Sequence, residues 1–292
     1  MIRQTAGEKA FLIFNNIFFF ILAFAMLYPF WHIIMVSLSS TTETSKGGIF
    51  LWPRGFNVNV YRQVLRNPRT FTGYQTTIMV TVTGTFLGLL ITSMMAYACS
   101  KKFVPFVSFI MLAVLFTMIF NGGMIPNYLL IKSLGLIDNR WALILPGLVS
   151  AYHIILMRTF FRAIPAEMEE SAKIDGANDV FIFIRIILPV SKAVLATIGL
   201  FIAVGYWNDF FSTVLYIHAS ERWSMMAVLR YMINNTAQAM LAVGISGDVT
   251  ENITEFSIRA GTIVVSTVPI LLVYPFLQKH FVKGVMIGSV KG

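Results

Sequence analysis

Charge is scarce in this chain. Only 12% of its 292 residues are Asp, Glu, Lys or Arg, where a soluble globular domain carries about a quarter. With 57% hydrophobic residues and a mean hydropathy of +0.75, the composition is that of an integral membrane protein. Cysteine is scarcer still. Cys99 stands alone, which excludes an intrachain disulfide and a thiolate metal cluster. The four histidines, His32, His153, His218 and His280, are far apart, and none belongs to an H-E-x-x-H zinc pattern. No G-x-x-x-x-G-K-[ST] phosphate loop occurs, so the chain is not expected to bind or hydrolyse ATP by that route. The net charge of +9 forms no basic stripe with interleaved aromatics, which argues against nucleic-acid binding and assigns the excess to membrane anchoring.

Long apolar runs are what the sequence has in abundance. Six stretches approach the roughly 20 residues needed to cross a bilayer: 11–36, 76–98, 104–120, 141–161, 190–217 and 260–281. They are apolar on all faces and lack the short alternation of a membrane barrel, so the expected fold is all-α with six transmembrane helices in one domain, 1–292. The first run contains Ala23-Phe24-Ala25, which has the form of a signal-peptidase site, but it continues through Pro29-Phe30-Trp31. We therefore expect an uncleaved helix. Lys101-Lys102 in a very short loop favours the cytoplasmic side for that loop and both termini, against ten basic residues that then fall on the other side.

Polar residues inside apolar spans are costly and need a reason. "GYWNDFF" places Tyr206, Trp207, Asn208 and Asp209 together near the end of the fifth span. Such a set offers a sugar both an apolar stacking face and hydrogen-bonding groups. The competing reading is an interfacial aromatic belt with Asp209 capping a helix end. Asn121-Gly122-Gly123 before Pro126 marks a turn after the third span. In "RWSMMAVLRYMINN", Trp223, Met226, Ala227 and Arg230 share a helical face. That face serves either packing on the bundle or docking of an external protein.

Acidic residues concentrate in one place, "EESAKIDGAND" from Glu169 to Asp179. Glu167, Glu169 and Glu170 suit the first turn of a helix begun near Pro165. Gly176 suits a left-handed residue ending that helix. A second helix should then carry Val180, Phe181, Phe183 and Ile184 as an apolar patch until Pro189. This cytoplasmic helix-turn-helix reads as a protein-binding knob, and its acidity argues against docking on an anionic leaflet.

The same segment carries a resemblance. Glu170-Ser171-Ala172, three residues, Gly176, nine residues and Ile186-Ile187-Leu188-Pro189 resemble the E-A-A-x3-G-x9-I-x-L-P signature of permease subunits in binding-protein-dependent ATP-binding-cassette importers. Ser171 replaces the first alanine, a small-for-small departure. Ile174-Asp175-Gly176-Ala177, the run from Ile125 to Pro146, "GYWNDFF" and "FVKGVMIGSVKG" are similar to the carbohydrate branch, its maltose-permease-like members and those for complex oligosaccharides.

The resemblance implies that the loop 162–189 is a cytoplasmic coupling element between spans four and five, seated in a cleft of an ATPase subunit. Glu169, Glu170, Ala172, Asp175 and Gly176 would shape it, and Ile186, Leu188 and Pro189 would tie it to the fifth span. Within the tail 281–292, Gly288, Lys291 and Gly292 would reach the ATPase interface. The implied partners are a second permease subunit, an ATPase dimer carrying ATP and Mg, and an extracellular or periplasmic sugar-binding protein, at a bacterial cell membrane. This chain itself is then expected to hold no cofactor or metal and to catalyse nothing. The alternative class is a membrane scaffold or membrane-embedded enzyme in which the acidic loop is only a solvated connection.

Overall fold

The computed structural model of the protein describes residues 5–101, 103–234 and 256–272. Among these residues every regular element is helical, as hydrocarbon demands of a chain that must satisfy its own backbone. Helix α1 (Ala6–Ser37) starts on a capping box. The Thr5 hydroxyl accepts the Glu8 N–H at 3.3 Å, and the Glu8 carboxylate accepts the Thr5 N–H at 2.7 Å. Two short helices follow, α2 (Thr41–Ser45) and α3 (Asn59–Arg66), then α4 (Pro68–Ser100). Helices α1 and α4 are each long and apolar enough to cross a membrane alone. At 33 residues α4 is about 50 Å long, well beyond the roughly 30 Å hydrocarbon core.

The remaining apolar runs are bent, and local chemistry says where. Helix α5 (Val107–Ile119) turns by 114° into α6 (Met124–Ser133), at the expected Asn121-Gly122-Gly123 turn. There the Asn121 side chain accepts the Gly123 N–H at 2.9 Å, and Gly123 has φ +90°, a conformation that favours glycine. The run 141–161 is not one straight helix. Helix α7 (Trp141–Ile144) passes into a 3-10 turn at Leu145–Gly147, and α8 (Ala151–Arg162) departs at 50°, because Pro146 has no N–H to continue the ladder.

The run 190–217 is broken as well. After α9 (Glu167–Ile174), α10 (Asp179–Ile182) and a π-helical turn at Phe183–Ile187, α11 (Leu188–Val190) meets α12 (Lys192–Asn208) at 83°. Asp209 then separates α12 from α13 (Phe211–Tyr216), and α14 (Met225–Asn234) and α15 (Phe256–Leu272) complete the described helices.

Two compact units emerge, one within Met1–Asn67 and Tyr231–Thr267, the other within Pro68–Arg230 and Val268–Gly292. In the first, α3 presents Val60 and Val64, one turn apart, to Ile258. The Ser37 hydroxyl meets the Tyr61 hydroxyl at 2.5 Å. In the second, α4, α8 and α12 enclose a core of Val80, Tyr97, Met157, Phe161, Ile198 and Tyr206. Glycines on α4 allow this approach. A Cβ at Gly84 would stand 2.5 Å from the Tyr206 ring, so no larger residue fits without moving that ring. Helix α14 packs through Met225, Ala227 and Val228, with the Met225 N–H donating to the Thr77 hydroxyl of α4 at 2.8 Å, while of the face read from the sequence Trp223 and Met226 are half-buried and Arg230 is exposed.

Candidate functional site

The acidic segment folds as two short helices joined by a tight turn. Three glutamates occupy the first turn of α9, where negative charge complements the helix dipole. The helix ends in a full Schellman arrangement: the Gly176 N–H donates to the Lys173 carbonyl at 3.0 Å, and the Ala177 N–H donates to the Ala172 carbonyl at 2.9 Å. Gly176 has φ +82° in open space. Backbone conformation, not room for a side chain, is therefore what requires glycine there. The Asn178 side chain then accepts the Phe181 N–H at 2.8 Å and starts α10. Pro189, lacking an N–H, explains the π-helical turn before it: the Leu188 N–H reaches back to the Phe183 carbonyl.

This geometry sorts the residues of the motif by direction. Ala172, Ala177, Ile186 and Leu188 pack against the core, and Ile182 and Ile187 are fully buried within it. Glu170, Asp175, Gly176 and Pro189 lie on the outside. Ser171 is exposed too, so a hydroxyl costs nothing where the motif has alanine. The apolar patch differs in one member from the expected set. Val180, Phe181 and Ile184 are exposed, joined by Ile174 at 86%, whereas Phe183 is buried against Tyr97 with ring centroids 5.0 Å apart. Phe183 sits beside the fully buried Ile182 on the core-facing side of the helix.

A set of contacts that sequence reasoning missed fastens the loop. Lys101, in the turn after α4, forms an ion pair with Glu169, and both side chains are mostly buried. Its ammonium lies 4.2 Å from the Tyr97 ring centroid. Lys173 pairs with Asp179 at 3.2 Å and lies 5.0 Å from the Phe103 ring centroid. The Arg158 Nε donates to the Cys99 carbonyl at 2.7 Å, satisfying one of the last carbonyls of α4. No local pattern announces the Lys101–Glu169 pair, since 68 residues separate its members.

The "GYWNDFF" residues take separate places. Tyr206 is buried and donates to the Ile144 carbonyl at 2.8 Å. It lines a cavity of ≈ 330 Å³ with Gly147, His153, Phe201, Asp209 and Ser212. Trp207 is buried, and its indole N–H has no acceptor among the described residues. Asn208 is exposed and turns its amide back to the Val204 carbonyl at 2.9 Å. Asp209 accepts the Ser212 N–H at 3.1 Å, so it caps a helix start while it lines the cavity. His153 was not singled out in the sequence. Gly288, Lys291 and Gly292 lie outside the described residues.

A second polar cluster lies between α6 and α7. Asp138 has φ +60°, and its Oδ1 accepts the N–H groups of Ala219 at 3.0 Å and His218 at 3.2 Å. Arg222 donates to its carbonyl oxygen and stands 3.6 Å from its Oδ2. The Ala219 N–H, with help from Arg222 and His218, holds the Asp138 carboxyl below the usual carboxylate range. No group of three or more potential metal ligands occurs among the described residues.

Comparison with known proteins agrees with this geometry. Residues 102–287 match the family described as "Binding-protein-dependent transport system inner membrane component". Protein LplC of Bacillus subtilis (strain 168) is 42% identical over 292 residues, covering 99% of this chain and 98% of that protein. The polygalacturonan/rhamnogalacturonan transport system permease protein YtcP of the same organism is 41% identical, covering 94% and 97%. In the crystal structure of a bacterial ABC transporter involved in the import of the acidic polysaccharide alginate, one chain superposes with a TM-score of 0.88 at 33% identity, over 96% of this chain and 100% of that one. The chain belongs to the family of binding-protein-dependent transport system inner membrane components.

Proposed function

We propose that this chain is the transmembrane permease subunit of an ATP-driven importer of oligosaccharides, working by alternating access. The observation that carries the reading is the outward-facing two-helix element 167–190, in which the E-x-A-x3-G-x9-I-x-L-P motif supplies both the turn and the anchoring to the core. In this reading 1–292 is one transmembrane domain with six spans, and both termini and the loop 162–189 are cytoplasmic. Glu170, Asp175 and Ile174 meet the ATPase subunit, and Glu169 and Ala172 hold the element in place. The tail residues Gly288, Lys291 and Gly292 approach the ATPase dimer. ATP and Mg are held by that dimer, a second permease subunit completes the pathway, and an external binding protein delivers the sugar.

The cavity beside Tyr206 and Asp209 fits the substrate path, with aromatic faces and hydrogen-bonding groups on one wall. The test is purification through a tag on this chain in lipid. An ATPase that co-purifies and is stimulated by a sugar-loaded binding protein is the expected result. No ATPase and no hydrolysis would return the acidic segment to a solvated connection.

A further inference from the structure

The segment between α1 and α4 combines an apolar patch with cations that no acid in it balances. From Leu38 to Asn67 it holds one acid, Glu43, and four basic residues, Lys46, Arg54, Arg62 and Arg66. Glu43 is taken by Lys46. The Arg54 guanidinium donates to the Ile49 carbonyl at 3.2 Å and lies 5.0 Å from the Phe50 ring centroid, contacts that leave its charge uncompensated. Arg62 and Arg66, exposed and one turn apart on α3, make no side-chain hydrogen bond or ion pair among the described residues. Beside these cations Ile49, Leu51, Trp52 and Phe56 are each exposed by half or more, Trp52 at 74%.

Hydrogen bonds to α1 fix the depth of each part. About 20 residues cross the hydrocarbon core, and counted from Phe11 they end at Phe30. Trp31 and His32 therefore stand at the membrane boundary, where aromatic residues collect. The Trp31 indole N–H donates to the Leu51 carbonyl at 2.8 Å, and His32 Nε2 stands 3.2 Å from the Gly48 carbonyl oxygen. At the end of the helix, the Asn57 N–H donates to the Leu38 carbonyl at 2.9 Å, and the Tyr61 hydroxyl of α3 meets that of Ser37. Five to six residues, about 7–9 Å of helix, separate the two levels. The chain thus leaves the end of α1, doubles back toward the membrane through Gly47 and Gly48, with φ +68° and +102°, and climbs again to α3. Phe50 pins the dip by packing with Met35 and Val36. The exposed apolar side chains sit low and the arginines of α3 sit high. A bilayer offers an apolar layer and a phosphate layer in that order, and the separation matches the roughly 5–10 Å to which an interfacial element sinks its apolar face. A protein partner would instead need an interface core depleted of charge.

We propose that 47–56 is a wedge seated in the bilayer leaflet at the C-terminal end of α1, and that Arg62 and Arg66 above it hold the phosphate of an anionic glycerophospholipid. Guanidinium forks match phosphate oxygens, and Trp52 anchors the wedge where the lipid turns polar. In the topology proposed above this is the outer leaflet, a side on which basic residues are ordinarily sparse; only the name of the leaflet rests on the importer reading. The lipid supplies the anions that the segment lacks.

The experiment uses the protein purified through a tag on this chain, with the subunits that accompany it, in nanodiscs of phosphatidylcholine and phosphatidylglycerol. A nitroxide on Trp52→Cys reports collisions with oxygen, which concentrates in lipid, and with an aqueous nickel chelate; Cys99 is buried, and the unaltered protein treated alike is the blank. Oxygen should be favoured roughly threefold at the depth of the wedge. A label open to the chelate would place the loop in water, and one sheltered from both would place it against another subunit; either result overturns the wedge. A bimane on Leu65→Cys, an exposed position on α3 beside the two arginines, reports the neighbouring lipid. Doxyl-labelled phosphatidylglycerol should quench it about twice as strongly as doxyl-labelled phosphatidylcholine, and Arg62→Gln with Arg66→Gln should erase the difference. Equal quenching with both arginines present, or a preference that survives their replacement, overturns the phosphate site. Both readouts need only the inserted chain, so an absent ATPase would sink the importer reading and leave them standing.

Discussion

Replacing Lys101 by Met tests how the two-helix element is held. The Lys101 and Glu169 side chains are 12% and 17% exposed, so neither the surface value for an ion pair, about 0–1 kcal/mol, nor the full cost of breaking a buried one, about 3–5 kcal/mol, applies unmodified. An intermediate loss of about 2 kcal/mol is the working figure for Lys101→Met, which leaves Glu169 without its cation and removes the contact with Tyr97. At 1.4 kcal/mol per tenfold, opening of the element should rise roughly thirtyfold. Amide hydrogen exchange over 167–175 reads that opening directly. The double variant Lys101→Met with Glu169→Met removes both charges and restores apolar packing, so most of the protection should return. If Lys101→Met leaves exchange in 167–175 unchanged, or the double variant is as unprotected as the single one, the pair is not the fastener and the reasoning fails.

Four further outcomes follow from the geometry. Gly176→Ala, which forces a Cβ into φ +82°, should cost about 1 kcal/mol and raise hydrogen exchange at Gly176 and Ala177 without touching the core. Gly84→Ala should destabilise by about 1–3 kcal/mol by displacing the Tyr206 ring, while Tyr206→Phe should cost about 1 kcal/mol for the hydrogen bond to Ile144; thermal inactivation in lipid compares them. Glu170→Lys, at an exposed position, should leave the chain inserted and thermally stable but abolish ATPase co-purification, and normal docking in that variant would refute the role given to Glu170. Asp138 has its carboxyl held below the ordinary range, so its contribution is present above the unfolded value of about 3.9 and is lost as pH falls through the lower folded value. Asp138→Asn should therefore flatten the acid limb of a stability-against-pH curve, and a curve superposing on the unaltered protein's would remove Asp138 from that account.

How much of this was legible in the sequence depends on the range of the interaction. The turn at Gly176, the glutamates at the start of α9 and the break after the third span are local, set by φ, by dipoles and by a missing N–H within a few residues. Composition was equally readable, because an all-apolar run leaves few folds open. The bends inside 141–161 and 190–217 were less so, since hydropathy averages over Pro146 and Asp209 while the backbone does not. The inward ring of Phe183 follows from its place beside buried Ile182, at the edge between the core-facing and outward sides of the helix, where residue type alone does not mark the boundary. The Lys101–Glu169 pair, the seat of Tyr206 between Gly84 and Gly147, and the engagement of Asp138 by Arg222 all join residues far apart in the chain. No pattern of spacing encodes them.

That division bears on how the proposed machine transmits force. Residues facing outward on the two-helix element, Glu170, Ile174 and Phe181, need only present chemistry to a partner, and local sequence specifies them. Residues behind them must convert a push on α9 into movement of α12, which requires that the element not yield. Three devices resist yielding: the Schellman turn that fixes α9 to α10, the buried Ile182 and Ile187 that seat the second helix in the core, and the Lys101–Glu169 pair that ties α9 to the end of α4. Since α4 and α12 pack along their lengths in one unit, a displacement at Glu169 reaches Tyr206 through packed side chains rather than through a flexible loop. Loosening Lys101 should therefore lower sugar moved per ATP while hydrolysis continues, whereas Glu170→Lys should remove both together. Measuring that ratio in proteoliposomes separates a fastener from a docking residue, and equal loss of uptake and hydrolysis in Lys101→Met would place Lys101 with the docking surface instead.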